Sequence, residues 1–284
     1  KRVESDDSVR VLPFPEGGMP ELVDREYNVV VFCSNERMSE VQKPYGQRWI
    51  RWQHCWVSGE FDFTAAKHSD AILAVSDTHA ENIRLAGVPK HRIRVLPNCI
   101  DTCVFQNYDK KREDTLMFAG ALVPGKGLDV LLRAIRLLDK PPHLDVYGSA
   151  AMVHADREYE DEMKRESADM DVDFHGAVTP DVLAHAYATH SVLCLPTKNE
   201  SFSLVSVEAQ ACGCIPVISD IGGVSESMMN RITGFLYYPN TPSVLANTIS
   251  KAIYAAHLMR DDAIDFGKQF TAENTATIFK QILS

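Results

Sequence analysis

Two glutamates stand eight positions apart in "NESFSLVSVEAQACGCIPVISDIGGVSE" (199–226), Glu200 ahead of an apolar run and Glu208 inside it. An ionised carboxylate removed from water is costly unless something polar meets it. A helix starting near Ser203 puts Leu204, Glu208, Ala211 and Cys212 on one face, so Glu208 turns at least partly inward. Its partner is either a neighbouring backbone group or Arg, the ordinary fate of a buried glutamate, or a ligand hydroxyl.

Three glycine-bearing turns offer phosphate chemistry. "GALVPGKG" (120–127) nearly spells the phosphate loop G-x4-G-K-[ST], but Gly127 replaces the hydroxyl residue that would hold magnesium. Pro124 also removes one loop N–H, and no apolar strand ending in Asp stands out as a second magnesium ligand, so nucleoside-triphosphate hydrolysis is a remote reading. Lys126 remains either a phosphate contact or a solvated lysine. "NESFS" (199–203) leads into the helix that carries Glu208, whose free N–H groups form an anion site. In "DIGGVSE" (220–226), Gly222 and Gly223 let backbone approach a ligand, and Glu226 is expected to start a helix. Taken singly, each is an ordinary strand-to-helix turn. "DVD" (171–173) imitates a metal-binding D-x-D, yet it precedes a strand and both Asp read as solvated turn residues; no metal is expected.

The elements that position these turns alternate. Apolar or β-branched runs read as strands at 28–33, 49–54, 71–76 and 92–97, then at 115–120, 143–148, 172–176, 191–196, 214–219 and 234–239. Helix-period segments fill the gaps. The clearest is "GLDVLLRAIRLL" (127–138), whose Leu128, Leu131, Leu132, Ile135 and Leu138 form one stripe. Asp77 is expected to cap "THAENIRLAG". Alternation of this kind implies an α/β fold with parallel sheets. The polar, non-periodic stretch 98–114 reads as an interdomain linker.

The 284 residues, 45% hydrophobic and 24% charged, suit a globular protein of one large or two medium domains. A net charge of −10 excludes a general nucleic-acid or anionic-membrane surface and makes any phosphate site local. Seven cysteines (33, 55, 99, 103, 194, 212 and 214) include no CxxC pair, and several sit in apolar strand or helix patterns where they read as small core residues, which suits a reducing cytoplasm. There is no apolar run of about 18 residues and no secretory start. The chain opens at Lys1 without Met, and an N-terminal portion is expected to be missing.

The order and spacing of "RVLPNCID", "GALVPGKGLDVLLRAI", "VDFHGAVTPDVLAHAY" and above all "ESFSLVSVEAQACGCIPVIS" resemble the retaining GT-B nucleotide-sugar glycosyltransferases of family four, the group one type. The last stretch carries that family's Glu, seven residues, Glu signature. The resemblance implies two Rossmann-like domains facing across a cleft, with boundaries at 1–105 (acceptor side, shortened), 106–262 (donor side) and a C-terminal helix at 263–284 crossing back. It implies transfer of a hexose from a UDP- or GDP-sugar to a sugar, glycolipid or other hydroxyl acceptor, without metal or other cofactor. Glu208 would bond the ribose, Glu200 the donor sugar and Lys126 the diphosphate. Backbone at Ser201, Phe202, Ser203 and Leu204 would hold phosphate and sugar oxygens, with Gly120 at the turn. Phe174 and Gly176 would line the base, and His54 matches a histidine facing the donor sugar. No nucleic-acid partner is implied; peripheral membrane contact is compatible with a glycolipid acceptor, and the oligomeric state is open.

Two departures bear on activity. Ala121 stands where the family usually has the Arg that pairs with the loop lysine on the diphosphate. The family's N-terminal glycine loop is also missing; "EGGMPE" (16–21) has glycines without a convincing strand before them. Alternatives are therefore a GT-B nucleotide-sugar epimerase or a non-catalytic partner subunit.

Overall fold

The computed structural model describes residues 29–32, 46–55, 57, 69–108, 113–153, 155 and 157–284. The stretch 9–14 and the glycines of 16–21 lie outside them. The chain divides into two compact units, the first reaching Val75 and resuming over Ala80–Val95, the second formed by Ser76–His79 with Leu96–Ser284.

The first unit holds a parallel sheet in the order β1-β2-β3-β4, with β1 Val29–Phe32, β2 Arg48–Gln53, β3 Ala71–Ala74 and β4 Ile93–Val95. Trp49, Ile50, Ile72 and Leu73 are wholly buried in it. Helix α1 (Asp77–Leu85) follows β3. Its cap is Ser76 rather than Asp77: Ser76 Oγ accepts from His79 N at 3.0 Å, the N-cap pattern, and Asp77 falls in the first turn.

The second unit is a six-stranded parallel sheet in the order β10-β9-β8-β5-β6-β7. Its strands are β5 Glu113–Ala119, β6 Leu144–Tyr147, β7 Val172–Gly176, β8 His190–Leu195, β9 Ile215–Ser219 and β10 Phe235–Tyr237. Central strands covered on both faces need unbroken apolar runs, and β8 and β9 are buried at every residue. The edge strand β7 alternates between half-buried and exposed positions. Helices α2 (Leu128–Ile135), α3 (Glu158–Glu166), α4 (Pro180–Thr189), α5 (Leu204–Ala211), α6 (Pro242–Gly267) and α7 (Ala272–Leu283) complete the unit. The stripe of α2 is buried at Leu128, Leu131, Leu132 and Ile135.

Three local expectations change. The stretch 98–108 packs into the second unit: Ile100 and Phe105 are buried, and Ile100 N donates to Phe270 O at 2.9 Å. Its polar composition hid two apolar anchors. Glu226 closes a short 3-10 turn, Val224–Glu226, instead of opening a helix, and its carboxylate accepts from Asp77 N and Thr78 N at 2.7 and 2.8 Å. Leu204 is exposed although it shares a helical face with Glu208. Cys194, Cys212 and Cys214 are buried thiols, while Cys55 and Cys103 are exposed. Among the described residues no helix is long and apolar enough to cross a membrane.

Candidate functional site

The carboxyl ends of parallel strands are where the turns converge in an open α/β sheet. Gly120 follows β5 with φ 154°, Gly148 follows β6 with φ 137° and Gly176 ends β7 with φ 70°. Gly120 N donates to Tyr147 O and Gly148 N to Gly176 O, at 3.0 and 2.7 Å, so the three turns are laced together. A Cβ on Gly148 would sit 1.8 Å from Gly120 O.

The turn after β5 is drawn against the turn after β8. Pro124–Lys126 forms a 3-10 turn, and Gly127, at φ 75°, opens α2. Lys198 N donates to Gly125 O at 2.8 Å, and a Cβ on Gly127 would lie 2.1 Å from Pro196 O. This approach requires glycine at 127, the position where a phosphate loop carries Ser or Thr. The β8 turn is braced from behind, since Asn240 Nδ2 donates to the Pro196 and Thr197 carbonyls and Ser219 Oγ to Thr197 O.

The result is a pairing of two candidate residues: Lys126 Nζ donates to Glu200 Oε2 at 2.8 Å, both half-buried. Lys126 is thus no free surface lysine. Ser201 and Phe202 continue the turn as buried residues; Ser201 O accepts from Ser76 Oγ at 2.7 Å, and the Phe202 ring lies 5.5 Å from that of Phe270. A Cβ on Gly223 would sit 2.1 Å from Ser201 O, so that glycine admits the turn.

Ser203 is the strained residue. Its φ of 90° is left-handed for a side chain with a Cβ. Its Oγ is buried with no hydrogen-bond partner, and it does not cap α5, which begins at Leu204. Gly127 likewise gives α2 no side-chain cap. The start of α5 after Ser203 therefore keeps N–H groups available for an anion, whereas at the start of α2 Asp129 N donates to Tyr159 Oη at 3.1 Å and Val130 N to Gly127 O at 2.9 Å.

Glu208, one turn into α5, accepts a 3.4 Å hydrogen bond from Tyr187 Oη on α4. Burial pushes its carboxyl up to about 7, with the Tyr187 hydrogen bond acting the other way. Tyr187 is itself wholly buried, which raises its phenol well above the usual range. Sequence reasoning gave Tyr187 no role, because nothing in "AHAYATH" marks one tyrosine as a glutamate's neighbour.

Three further positions remain. Phe174 packs against the core of the second unit, with Lys164 Nζ 5.7 Å from its ring centroid. In the first unit His54 lies just past β2, its ring 4.8 Å from that of Trp52, and burial lowers its pKa. Ala121 is buried at the end of β5.

Residues 102–270, more than half of the chain, match the family model "Glycosyl transferases group 1". The chain belongs to that family. Residues 43–103 of this group 1 chain match "Glycosyltransferase Family 4". Curated relatives include the D-inositol 3-phosphate glycosyltransferase of Jonesia denitrificans, 27% identical over 74% of this chain and 56% of its own length. That of Xylanimonas cellulosilytica is 31% identical over 68% of this chain and 50% of its own. The chain spans about half the length of the curated relatives it matches. Among solved structures, sucrose-phosphate synthase from Thermosynechococcus elongatus aligns with a TM-score of 0.75 at 20% identity, over 91% of this chain and 73% of that one. HepE of Anabaena in complex with UDP-glucose aligns with a TM-score of 0.73 at 20% identity, over 84% and 71%. The group 1 chain has the α/β GT-B fold, built on two Rossmann-like parallel sheets.

Proposed function

We propose that the chain takes part in glycosyl transfer, with the carboxyl edge of the second sheet holding a nucleotide sugar. The observation that carries the reading is Ser203, a strained residue with a buried, unpartnered hydroxyl at an uncapped helix start, three residues after a glutamate that already holds Lys126. Strain and an unsatisfied polar atom persist where a ligand repays them.

Donor cleavage generates an oxocarbenium-like sugar and a nucleoside diphosphate anion, so catalysis consists of stabilising phosphate charge and aiming a hydroxyl. Lys126 and the N-terminus of α5 serve the diphosphate. Glu200 exchanges Lys126 for a sugar hydroxyl, and Glu208 accepts from the ribose. The leaving phosphate acts as base, giving retention, and no metal takes part. His54 contributes to turnover. UDP-glucose is the first donor to try, because HepE binds it, and inositol phosphates lead the acceptors, because the relatives are named for one. The acidic charge and the buried thiols Cys194, Cys212 and Cys214 suit a cytoplasmic enzyme.

Ala121 favours a second reading, a partner subunit that binds donor without turning it over. The deciding experiment measures UDP and GDP affinity by calorimetry, then follows release of nucleoside diphosphate from UDP-glucose with and without acceptor. Acceptor-dependent release supports transfer. Release that needs no acceptor indicates an epimerase or hydrolase, and binding without release indicates the partner subunit. Absence of nucleotide binding overturns all three.

A further inference from the structure

The amino ends of β6, β7 and β8 carry a group of side chains that the donor-site reading leaves unused. In a parallel sheet these ends lie at the opposite edge from Gly120, Gly148 and Gly176. Asp145, second in β6, is in register with Asp173 of β7, so their side chains stand side by side on one face, and His175 follows on that face two residues later. His143, just before β6, reaches the same point.

The hydrogen-bond pattern gives the group its meaning. His143 Nδ1 is 2.9 Å from Asp171 Oδ1, an acceptor, and therefore carries the ring proton in the neutral tautomer. Nε2 then presents a lone pair, and it faces Asp145 Oδ1 at 3.4 Å and Asp173 Oδ2 at 3.7 Å. The three atoms all lie within 4.8 Å of one another, an arrangement that either a divalent cation or a second proton on His143 would hold together. Zinc bound tetrahedrally by nitrogen and oxygen separates its ligand atoms by roughly 3.4 Å, given bonds of about 2.0–2.2 Å. The observed gaps need little adjustment.

We propose that His143, Asp145 and Asp173 bind a divalent transition cation of the zinc class between β6 and the edge strand β7. Solvent supplies the fourth ligand, and His175, whose Nε2 is hydrogen-bonded to Asp145 Oδ1 and whose ring stacks on Tyr147 at 4.5 Å, holds that carboxylate in place. Two further positioning residues support the set. Asp171 fixes the tautomer of His143, and His190 Nε2, 2.7 Å from Asp145 Oδ2, occupies that carboxylate's other oxygen. Imidazole donors select zinc over magnesium, which asks for six oxygens.

The test is calorimetric titration of the metal-stripped full chain with zinc chloride and, separately, magnesium chloride, alongside thermal melts. The expected result is one saturable zinc site and a zinc-dependent rise in Tm, with no saturable magnesium binding. Asp173→Asn and His143→Ala should each weaken zinc by tenfold or more, and Asp171→Asn by about tenfold. Asp173 is exposed, so its variant keeps the test valid if His143→Ala does not fold. No saturable zinc binding means that a second proton on His143 fills the gap, and this overturns the proposal. Zinc binding that survives in both ligand variants belongs to other histidines or cysteines and overturns it equally.

Discussion

Lys126 and Glu200 meet at 2.8 Å although they sit on different turns of the second sheet. The ammonium proposed to meet a diphosphate is held by the carboxylate proposed to meet the sugar. Lys126→Ala should therefore lower nucleoside diphosphate affinity by tenfold or more and leave nucleoside affinity unchanged. Glu200→Gln should bind diphosphate at least as tightly as the parent but turn over more slowly. The pair is partly exposed, so either change should cost no more than about 1 kcal/mol of stability. Calorimetry with both ligands is the check; equal losses for nucleoside and nucleoside diphosphate in Lys126→Ala remove the lysine from the phosphate site.

Ser203→Gly should separate stability from function. Glycine relieves the positive φ, worth about 1 kcal/mol, and a higher Tm is expected. Nucleotide-sugar affinity should fall, because the buried hydroxyl is gone. A lower Tm would show that the serine is not strained.

Glu208 makes stability depend on pH. Its ordinary pKa is 4.5 and burial raises it to about 7, so between these values the folded chain keeps a proton that the unfolded chain has lost. Stability then falls as pH rises through that window and levels off above it, by at most about 3 kcal/mol in all. Glu208→Gln should flatten this portion of the curve. Urea unfolding of both proteins from about pH 5 to about pH 8 reads the difference. Parallel curves would place Glu208 in a wetter setting. UDP binding should in turn strengthen through neutral pH in the parent more than in Glu208→Gln, since the ionised form is the better ribose acceptor.

The two glycines flanking Lys126 should respond oppositely to alanine. A Cβ at Gly125 meets nothing within 4 Å, whereas one at Gly127 lies 2.1 Å from Pro196 O and demands φ 75°. Gly125→Ala is expected to be neutral, and Gly127→Ala to cost about 3 kcal/mol or more. Thermal or urea denaturation distinguishes them; similar effects at the two positions would mean that the turn relaxes.

The ten strands of the described residues were legible, the central buried ones because they read as unbroken apolar runs, "SVLCLP" and "CIPVIS" most plainly. Lys126, Glu200 and Glu208 were legible as candidates through their residue types beside glycine turns. Their partners were not. The Lys126–Glu200 pair, the Tyr187–Glu208 hydrogen bond and the Ser76 contact with Ser201 O all join residues distant in sequence, which no local period encodes. The stretch 98–108 misled for the converse reason, as Ile100 and Phe105 are anchors scattered among polar residues.

The strand order has a temporal consequence for synthesis. β5 lies between β6 and β8, and β8 leaves the ribosome only after β6, β7, α3 and α4. Until His190–Leu195 arrives, a nascent chain that has assembled β5-β6-β7 presents Leu116, Met117 and Phe118 along an open edge, with free N–H and C=O groups for any neighbouring chain. A translation product arrested between Gly176 and His190 would hold that edge open permanently, so stalled ribosomes would release an aggregation seed from this gene rather than a harmless fragment.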